Sequence, residues 1–373
     1  MSAARPGGRP VRTAVVGLGW AARSIWLPRL RPHPDFTVRA VVDPDPVSRA
    51  AVAADHAGIP VLAAVHDLDP AQVDLAVVAV PNHLHCAIAS SLLRKGIPVF
   101  LEKPVCLTPA EAELLAEAER AGGARLLAGS AARHRADVGA LLASVAGLGR
   151  VRHVELSWVR ARGVPDAGGW FTQRRLSGGG ALLDLGWHLF DIAAPLLGRA
   201  EFVQVAGAVS GDFIARDTAR VSWRAEEGGA DGGTPAGPVD VEDTARAFLV
   251  TGDGISLSLH ASWASHEELD VTRVRVDSSE GSATLRCTFG FSPNRLARSE
   301  LTVTRDGGTH RLPVPEEPVG TEYDRQLDEL AARLRDPSGP GRVIEEVRRT
   351  VGAIERVYSA ARAGRETAPP TRV

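Results

Sequence analysis

The stretch from Val11 to Leu30 constrains the fold more than any other part of the chain. Val11 to Val16 reads as a short apolar strand and runs directly into Gly17-Leu18-Gly19-Trp20-Ala21-Ala22, after which a helical pattern continues to about Leu30. On a strand-to-helix turn, the first glycine permits the tight bend and the second lets the backbone approach a pyrophosphate at the helix N-terminus. Ala22 is small enough for close helix–strand packing. Gly17, Gly19, Trp20 and Ala21 are therefore candidates for holding a dinucleotide. The chain has 38 glycines, so the string alone is weak and its context carries the weight.

The same alternation continues. Thr37 to Val42, Leu75 to Val80, Pro98 to Leu101 and Arg125 to Ala128 read as strands, and Leu75 to Val80 is apolar throughout, as in a parallel sheet buried on both faces. Pro46 to His56, His83 to Arg94 and Thr108 to Glu119 read as helices, which predicts a doubly wound α/β sheet. After about Ala132 the period changes to two. Val154, Leu156 and Trp158 alternate with His153, Glu155 and Ser157, and Ile255 to Ser262 repeats the pattern. Asp253-Gly254 and Asp306-Gly307 mark hairpin turns. Glu226 to Val239 is rich in Gly and Pro and reads as a loop, and Tyr323 to Arg335 and Val343 to Ala363 read as helices. The expected domains are residues 1–132, a Rossmann domain, and 133–373, built on a one-face-packed sheet, with helices 323–363 returning to the first domain.

Bulk properties narrow the function class. The chain is 373 residues long with a formal net charge of -2, which offers no electrostatic argument for nucleic acid or an anionic membrane. The polar start and the lack of any run approaching about 20 apolar residues argue against a secretory signal or a membrane span. Cys86, Cys106 and Cys287 are far apart and odd in number, which suggests neither a disulfide framework nor a zinc site. A cytoplasmic location is expected.

Asp43 ends the second strand, 21 residues after Ala22, where a carboxylate accepts from adenosine ribose hydroxyls. A surface-turn aspartate is the plainer reading. With no Arg or Lys adjacent to Asp43, NAD is favoured over NADP, and Arg49 keeps NADP open. Pro81-Asn82-His83-Leu84-His85 follows the buried strand, on the edge where open parallel sheets bind ligands. Asn82 can line that cleft or simply cap the next helix. His83 and His85 lack further metal ligands in sequence, so no metal is expected.

Lysine usage is informative. Of 43 basic residues only Lys95 and Lys103 are lysines. An amine can gain and lose a proton, which a guanidinium does not readily do. Lys95 sits at a helix end where a cation complements the dipole. Lys103, in Glu102-Lys103-Pro104 at the same sheet edge, is a candidate for bonding a reacting oxygen. In the second half, Gly178-Gly179-Gly180 leads into a helix running to about Leu197. Asp184 and His188 lie four apart on it, on one face of an otherwise apolar segment. They face a site, or form a satisfied helix pair or a surface stripe with Asp191.

Together the glycine loop, Pro81-Asn82-x-x-His85, Glu102-Lys103-Pro104 and Gly178-Gly179-Gly180-Ala181-Leu182-Leu183-Asp184-x-Gly186-x-His188 resemble the Gfo/Idh/MocA oxidoreductases, the relatives of glucose–fructose oxidoreductase and inositol dehydrogenase. The order matches over nearly the whole chain, with Ala22 in place of a third glycine. The resemblance implies an N-terminal Rossmann domain, a C-terminal α+β domain with an open, mostly antiparallel sheet, and homo-oligomers (dimer or tetramer) formed through that sheet. It implies a catalytic trio of Lys103, Asp184 and His188, with Pro81, Asn82, His85 and Glu102 beside the cofactor. It also places Arg162 and Trp170 near the substrate. The implied activity is an NAD(P)-dependent dehydrogenase or ketoreductase acting on a secondary alcohol or ketone of a sugar, cyclitol or nucleotide sugar. His188 takes the hydroxyl proton, Lys103 stabilises the alkoxide and Asp184 orients its neighbours. A non-catalytic cofactor-binding regulator and a redox-assisted lyase or glycosidase are the alternatives on the same scaffold.

Overall fold

The computed structural model describes residues 9–56, 58–165, 169–220, 237–336 and 341–366. In chain order the elements are β1 (Val11–Val16), a π-helical turn (Ala21–Trp26) continuing as α1 (Leu27–Leu30), β2 (Phe36–Val42), α2 (Pro46–Asp55), β3 (Val61–Leu62), β4 (Leu75–Val78), α3 (His85–Arg94), β5 (Val99–Leu101), α4 (Pro109–Gly122) and β6 (Leu126–Ala128). There follow α5 (Ala136–Val145), β7 (Val151–Val159), α6 (Arg174–Ser177), a second π-helical turn (Leu182–Gly186) continuing as α7 (Trp187–Leu197), and β8 (Phe202–Ser210). The chain ends with β9 (Thr244–Thr251), β10 (Ser256–Ser262), β11 (Val271–Ser278), β12 (Gly281–Cys287), β13 (Glu300–Arg305), β14 (Gly308–Leu312), α8 (Thr321–Arg335) and α9 (Arg342–Glu366).

Two compact units result. The first comprises residues 1–106, 110–129 and 323–345, and the second 107–109, 130–322 and 346–373. The first unit holds a six-stranded sheet in the order β3-β2-β1-β4-β5-β6, every pairing parallel. All four residues of β4 are buried, which is why its sequence shows no alternation. The order reverses between β1 and β4, so the crevice at their carboxyl ends is the topological switch point. α2 begins where Asp45 accepts from the N–H groups of Val47 and Ser48, with Pro46 in the first turn. Most of α8 belongs to this unit and ties to its first helix through an ion pair of Arg29 with Asp324 at 3.0 Å.

The second unit is built on an eight-stranded sheet in the order β14-β13-β12-β11-β7-β10-β9-β8. Every pairing is antiparallel except β7 with β10, which run parallel. Along β7, Val154, Leu156 and Trp158 are buried while Glu155 and Ser157 are not, giving one packed face. The Asp253-Gly254 and Asp306-Gly307 turns connect β9 to β10 and β13 to β14 as expected.

The structure amends several details. β4 stops at Val78 rather than Val80: Ala79 still bonds Val16 O at 2.8 Å, but Pro81 has no N–H to extend the ladder. The cap position of α3 is Leu84, so Asn82 does not cap it but sits buried in a 3₁₀ turn, Asn82–Leu84. Residues Arg174–Leu197 are long and apolar enough to pass for a membrane span by composition, contrary to expectation, yet 67% of that window is buried inside the protein. It is a core segment broken by the glycine run. The expected loop from Glu226 lies outside the described residues up to residue 236.

Candidate active site

The first unit gathers its candidate residues at the carboxyl ends of β1, β2, β4 and β5. Gly17 has φ +85°, and a Cβ there would sit 2.6 Å from Ala79 O, so both the turn and the close strand approach require glycine. Gly19 has nothing within 4 Å of where its Cβ would be, which leaves its backbone open to a ligand. Asp43 is welded to this loop. One carboxylate oxygen accepts from the Leu18 N–H at 2.7 Å and the other from the Asp45 N–H at 2.8 Å. Arg49 donates to the carbonyls of Asp43 and Pro44, both at 2.8 Å, which brings a guanidinium to the end of β2. An open glycine backbone, a fixed carboxylate and a switch-point crevice fit a dinucleotide.

Two further loops complete this edge. His85 is 1% exposed and its ring spans them, with Nδ1 2.7 Å from Pro104 O and Nε2 2.8 Å from Val80 O. Burial pushes its pKa down to about 4, against the pull of the two carbonyls. A neutral ring carries one N–H, so it donates to only one of these carbonyls while the other lies against its second nitrogen. The ring sits between the Pro81-Asn82 loop and Glu102-Lys103-Pro104 with one hydrogen bond tying it in place. Glu102 accepts the indole N–H of Trp26 at 2.7 Å and the Lys103 backbone N–H at 3.0 Å. Burial raises the Glu102 pKa, opposed by the charge of Lys103, its backbone N–H and the indole. Lys103 follows through a cis peptide bond to Pro104.

In the second unit, the segment after the glycine run is buried from Ala181 to Phe190 at every position but two, Asp184 and His188. The only polar side chains of the segment are thus the ones that reach its surface. Asp184 Oδ2 accepts the indole N–H of Trp263 at 2.9 Å, and the ring of His188 lies 5.6 Å from that of Trp158. The guanidinium carbon of Arg160 lies 5.1 Å from the Trp158 ring centre.

The segment is anchored by Glu242, which is 5% exposed. Its carboxylate accepts from the N–H groups of Gly180 (3.1 Å) and Leu182 (3.0 Å) and from the Tyr358 hydroxyl (2.8 Å). A carboxylate at a helix start satisfies orphan N–H groups and complements the dipole. Burial nonetheless raises its pKa, against those N–H donors, Tyr358 and Arg174. The approach is so close that a Cβ on Gly180 would lie 1.8 Å from Glu242 O. Neither Glu242 nor Tyr358 is conspicuous in the sequence; the adjacent acids Glu242-Asp243 ahead of an apolar strand are the one signal.

Within the first unit, Gly17, Gly19, Asp43, Pro81, Asn82, His85, Glu102 and Lys103 therefore share one sheet edge, and Trp20 and Ala21 open the adjoining helix. Within the second, Asp184 and His188 share one surface. Arg162 is exposed and bridges to Ala264 just beyond β7, and Trp170, 9% exposed, stands in a 3₁₀ turn against Phe171.

The first unit, with its glycine turn at the switch point of a parallel sheet, is a Rossmann-type nucleotide-binding domain. Residues 11–130 match the oxidoreductase family model with an NAD-binding Rossmann fold, and 142–284 match the GFO/IDH/MocA C-terminal domain. The chain belongs to the Gfo/Idh/MocA oxidoreductase family. It is 58% identical over 355 residues, 95% of this chain and 97% of the other, to a protein of Amycolatopsis mediterranei provisionally named a UDP-kanosamine synthase oxidoreductase subunit. It is 25% identical over 94% of its length, and 97% of the relative's, to dTDP-3,4-didehydro-2,6-dideoxy-alpha-D-glucose 3-reductase of Streptomyces antibioticus. Aldose-aldose oxidoreductase of Caulobacter crescentus shares the fold, with a TM-score of 0.75 at 24% identity over 95% of this chain and 98% of that one.

Proposed function

We propose that this protein is an NAD-dependent oxidoreductase acting on a secondary alcohol, or its ketone, at C3 of a nucleoside-diphosphate hexose. The observation that carries the chemistry is the partial exposure of Asp184 and His188, a carboxylate and an imidazole one turn apart on an otherwise apolar, buried segment. The substrate class rests on the two full-length relatives, one named for a UDP-sugar and one for a 3-reduction. Bound NAD supplies the hydride acceptor. His188 takes the proton of the substrate hydroxyl, and the Lys103 ammonium stabilises the oxygen as charge develops on it. Asp184 orients the groups beside it, and the chain's backbone at Gly17 and Gly19 with Asp43 holds the dinucleotide. Ketone reduction runs the same proton steps in reverse.

We further propose that the eight-stranded sheet forms a homo-oligomer contact and that the protein works in the cytoplasm. The unpacked face of β7 and β11, with half-buried Glu155, Ser157, Arg275 and Asp277, supports the first, and three buried cysteines outside any disulfide support the second. The 'subunit' in the Amycolatopsis protein's name favours a second polypeptide as partner.

The test is to supply NAD or NADP with UDP- and dTDP-hexoses and with free polyols, trapping any ketone as an oxime. NADH formation with a nucleotide sugar, and an oxime located at C3, is expected. Reaction with free polyols alone overturns the substrate class.

A further inference from the structure

In each unit a buried tryptophan ends on a candidate-site carboxylate. In the first unit Trp26, 0% exposed, donates to Glu102 at 2.7 Å. In the second unit Trp263, also 0% exposed, donates to Asp184 at 2.9 Å. An indole N–H is a donor with no acceptor capacity, so its one bond selects an oxygen lone pair and is strongest to a charged carboxylate.

Both rings are held independently of the carboxylates they serve. Trp26 closes the π-helical turn that opens at the glycine loop, and Phe100 and Tyr323 pack edge-on against it at 4.9 and 5.7 Å. Trp263 follows β10, gives its backbone N–H to Asp243 O at 2.8 Å and lies beside the Phe171 ring at 6.3 Å. Neither indole is free to follow a rotating carboxylate, so the indole sets the carboxylate plane. We propose that Trp26 and Trp263 are positioning residues, Trp26 aiming Glu102 at the Lys103 backbone and Trp263 fixing the carboxylate of Asp184 one helical step before His188. This rests on the roles given above to Lys103, Asp184 and His188.

Trp26→Phe and Trp263→Phe keep an aromatic ring and remove the donor. In each, kcat falls about ten- to a hundredfold, the span expected for one hydrogen bond to a charged group, while KM for NAD changes less than about threefold. The discriminating measurement is coupling. In an Asp184→Asn background Trp263→Phe produces little further loss, and in a Glu102→Gln background Trp26→Phe produces little further loss. A merely structural tryptophan lowers kcat by the same factor in both backgrounds, which overturns the proposal.

A second readout needs no turnover and no cofactor. In ¹⁵N-tryptophan-labelled protein, Glu102→Gln moves the Trp26 indole N–H resonance alone, and Asp184→Asn moves that of Trp263 alone. Indole resonances indifferent to their carboxylates overturn the proposal even if the Phe variants do not fold. Absence of turnover in the unmodified chain would count against the proposed function, and the resonance experiment would still decide this inference.

Discussion

The backbone N–H of Leu18, inside the glycine loop, donates to the carboxylate of Asp43 at 2.7 Å, so the residue proposed to hold the ribose also braces the loop proposed to hold the pyrophosphate. Asp43→Ala removes that brace, the bond from Asp45 N–H and the acceptor for the ribose hydroxyls. NAD affinity should fall at least about tenfold, consistent with 1.5–3 kcal/mol per charged hydrogen bond. Loss of the negative charge beside Arg49 should at the same time favour a ribose phosphate. Dissociation constants for NAD and NADP, measured by fluorescence, check both; an unchanged NAD to NADP ratio would remove Asp43 from cofactor selection.

Lys103→Arg keeps the charge but replaces a compact amine with a planar fork of different reach. Turnover should drop about a hundredfold or more, with NAD binding within about threefold of normal, because the glycine loop and Asp43 are unchanged. Single-turnover kinetics alongside an NAD titration separate the two effects.

His188→Gln removes the proposed base from a half-buried position. A loss of about 10² to 10⁴ in kcat is expected, the usual span for a general base. Stability should change by less than about 0.5 kcal/mol, as at other sites away from the core. Thermal melts and kcat measured on the same sample distinguish chemistry from folding.

Gly180→Ala should behave in the opposite way. Its Cβ would lie 1.8 Å from Glu242 O, and the backbone must move to admit it. A destabilisation of about 3 kcal/mol or more is expected, at the severe end for point changes. The check is the denaturant midpoint; an unchanged midpoint would mean that the loop shifts freely.

Stability should also fall on mild acidification. Burial holds the His85 pKa at about 4, below its unfolded value of 6.5. Between those values the unfolded chain binds a proton that the folded chain refuses, so stability is full above about pH 6.5 and is lost progressively as pH falls toward 4. The share of His85 is about 3 kcal/mol at most. His260, also pushed down to about 4 by burial and by neighbouring Arg246, adds to the trend. Melting temperature followed from pH 7.5 to 4.5 should drop more steeply in the unmodified chain than in His85→Gln.

The parts of this protein legible in its sequence are those written in local periods. The β1 strand, the glycine loop and Asp43 follow one another at fixed offsets, and the buried run at β4 carries its own signature. The polar pair Asp184 and His188 stands out because its neighbours are apolar. What stayed hidden depends on long-range partners. Trp263 meets Asp184 across 79 positions, and Tyr358 meets Glu242 across 116. A lone tryptophan after an alternating strand reads as core, and nothing local says that its N–H ends on a carboxylate. The two-residue β3, the parallel β7–β10 pairing and the π-helical turns escaped for related reasons. Short edges and hydrogen-bond register leave little trace in composition.

The burial pattern from Ala181 to Phe190 has a bearing on how this enzyme can change. Eight of those ten positions are buried and two, Asp184 and His188, are half-buried. A chemist redesigning the reaction, or natural variation exploring it, has two adjustable letters on a frame that tolerates little else. A change at 184 must keep an acceptor for the buried Trp263 indole, whereas libraries spread over the whole segment would return mostly unfolded chains.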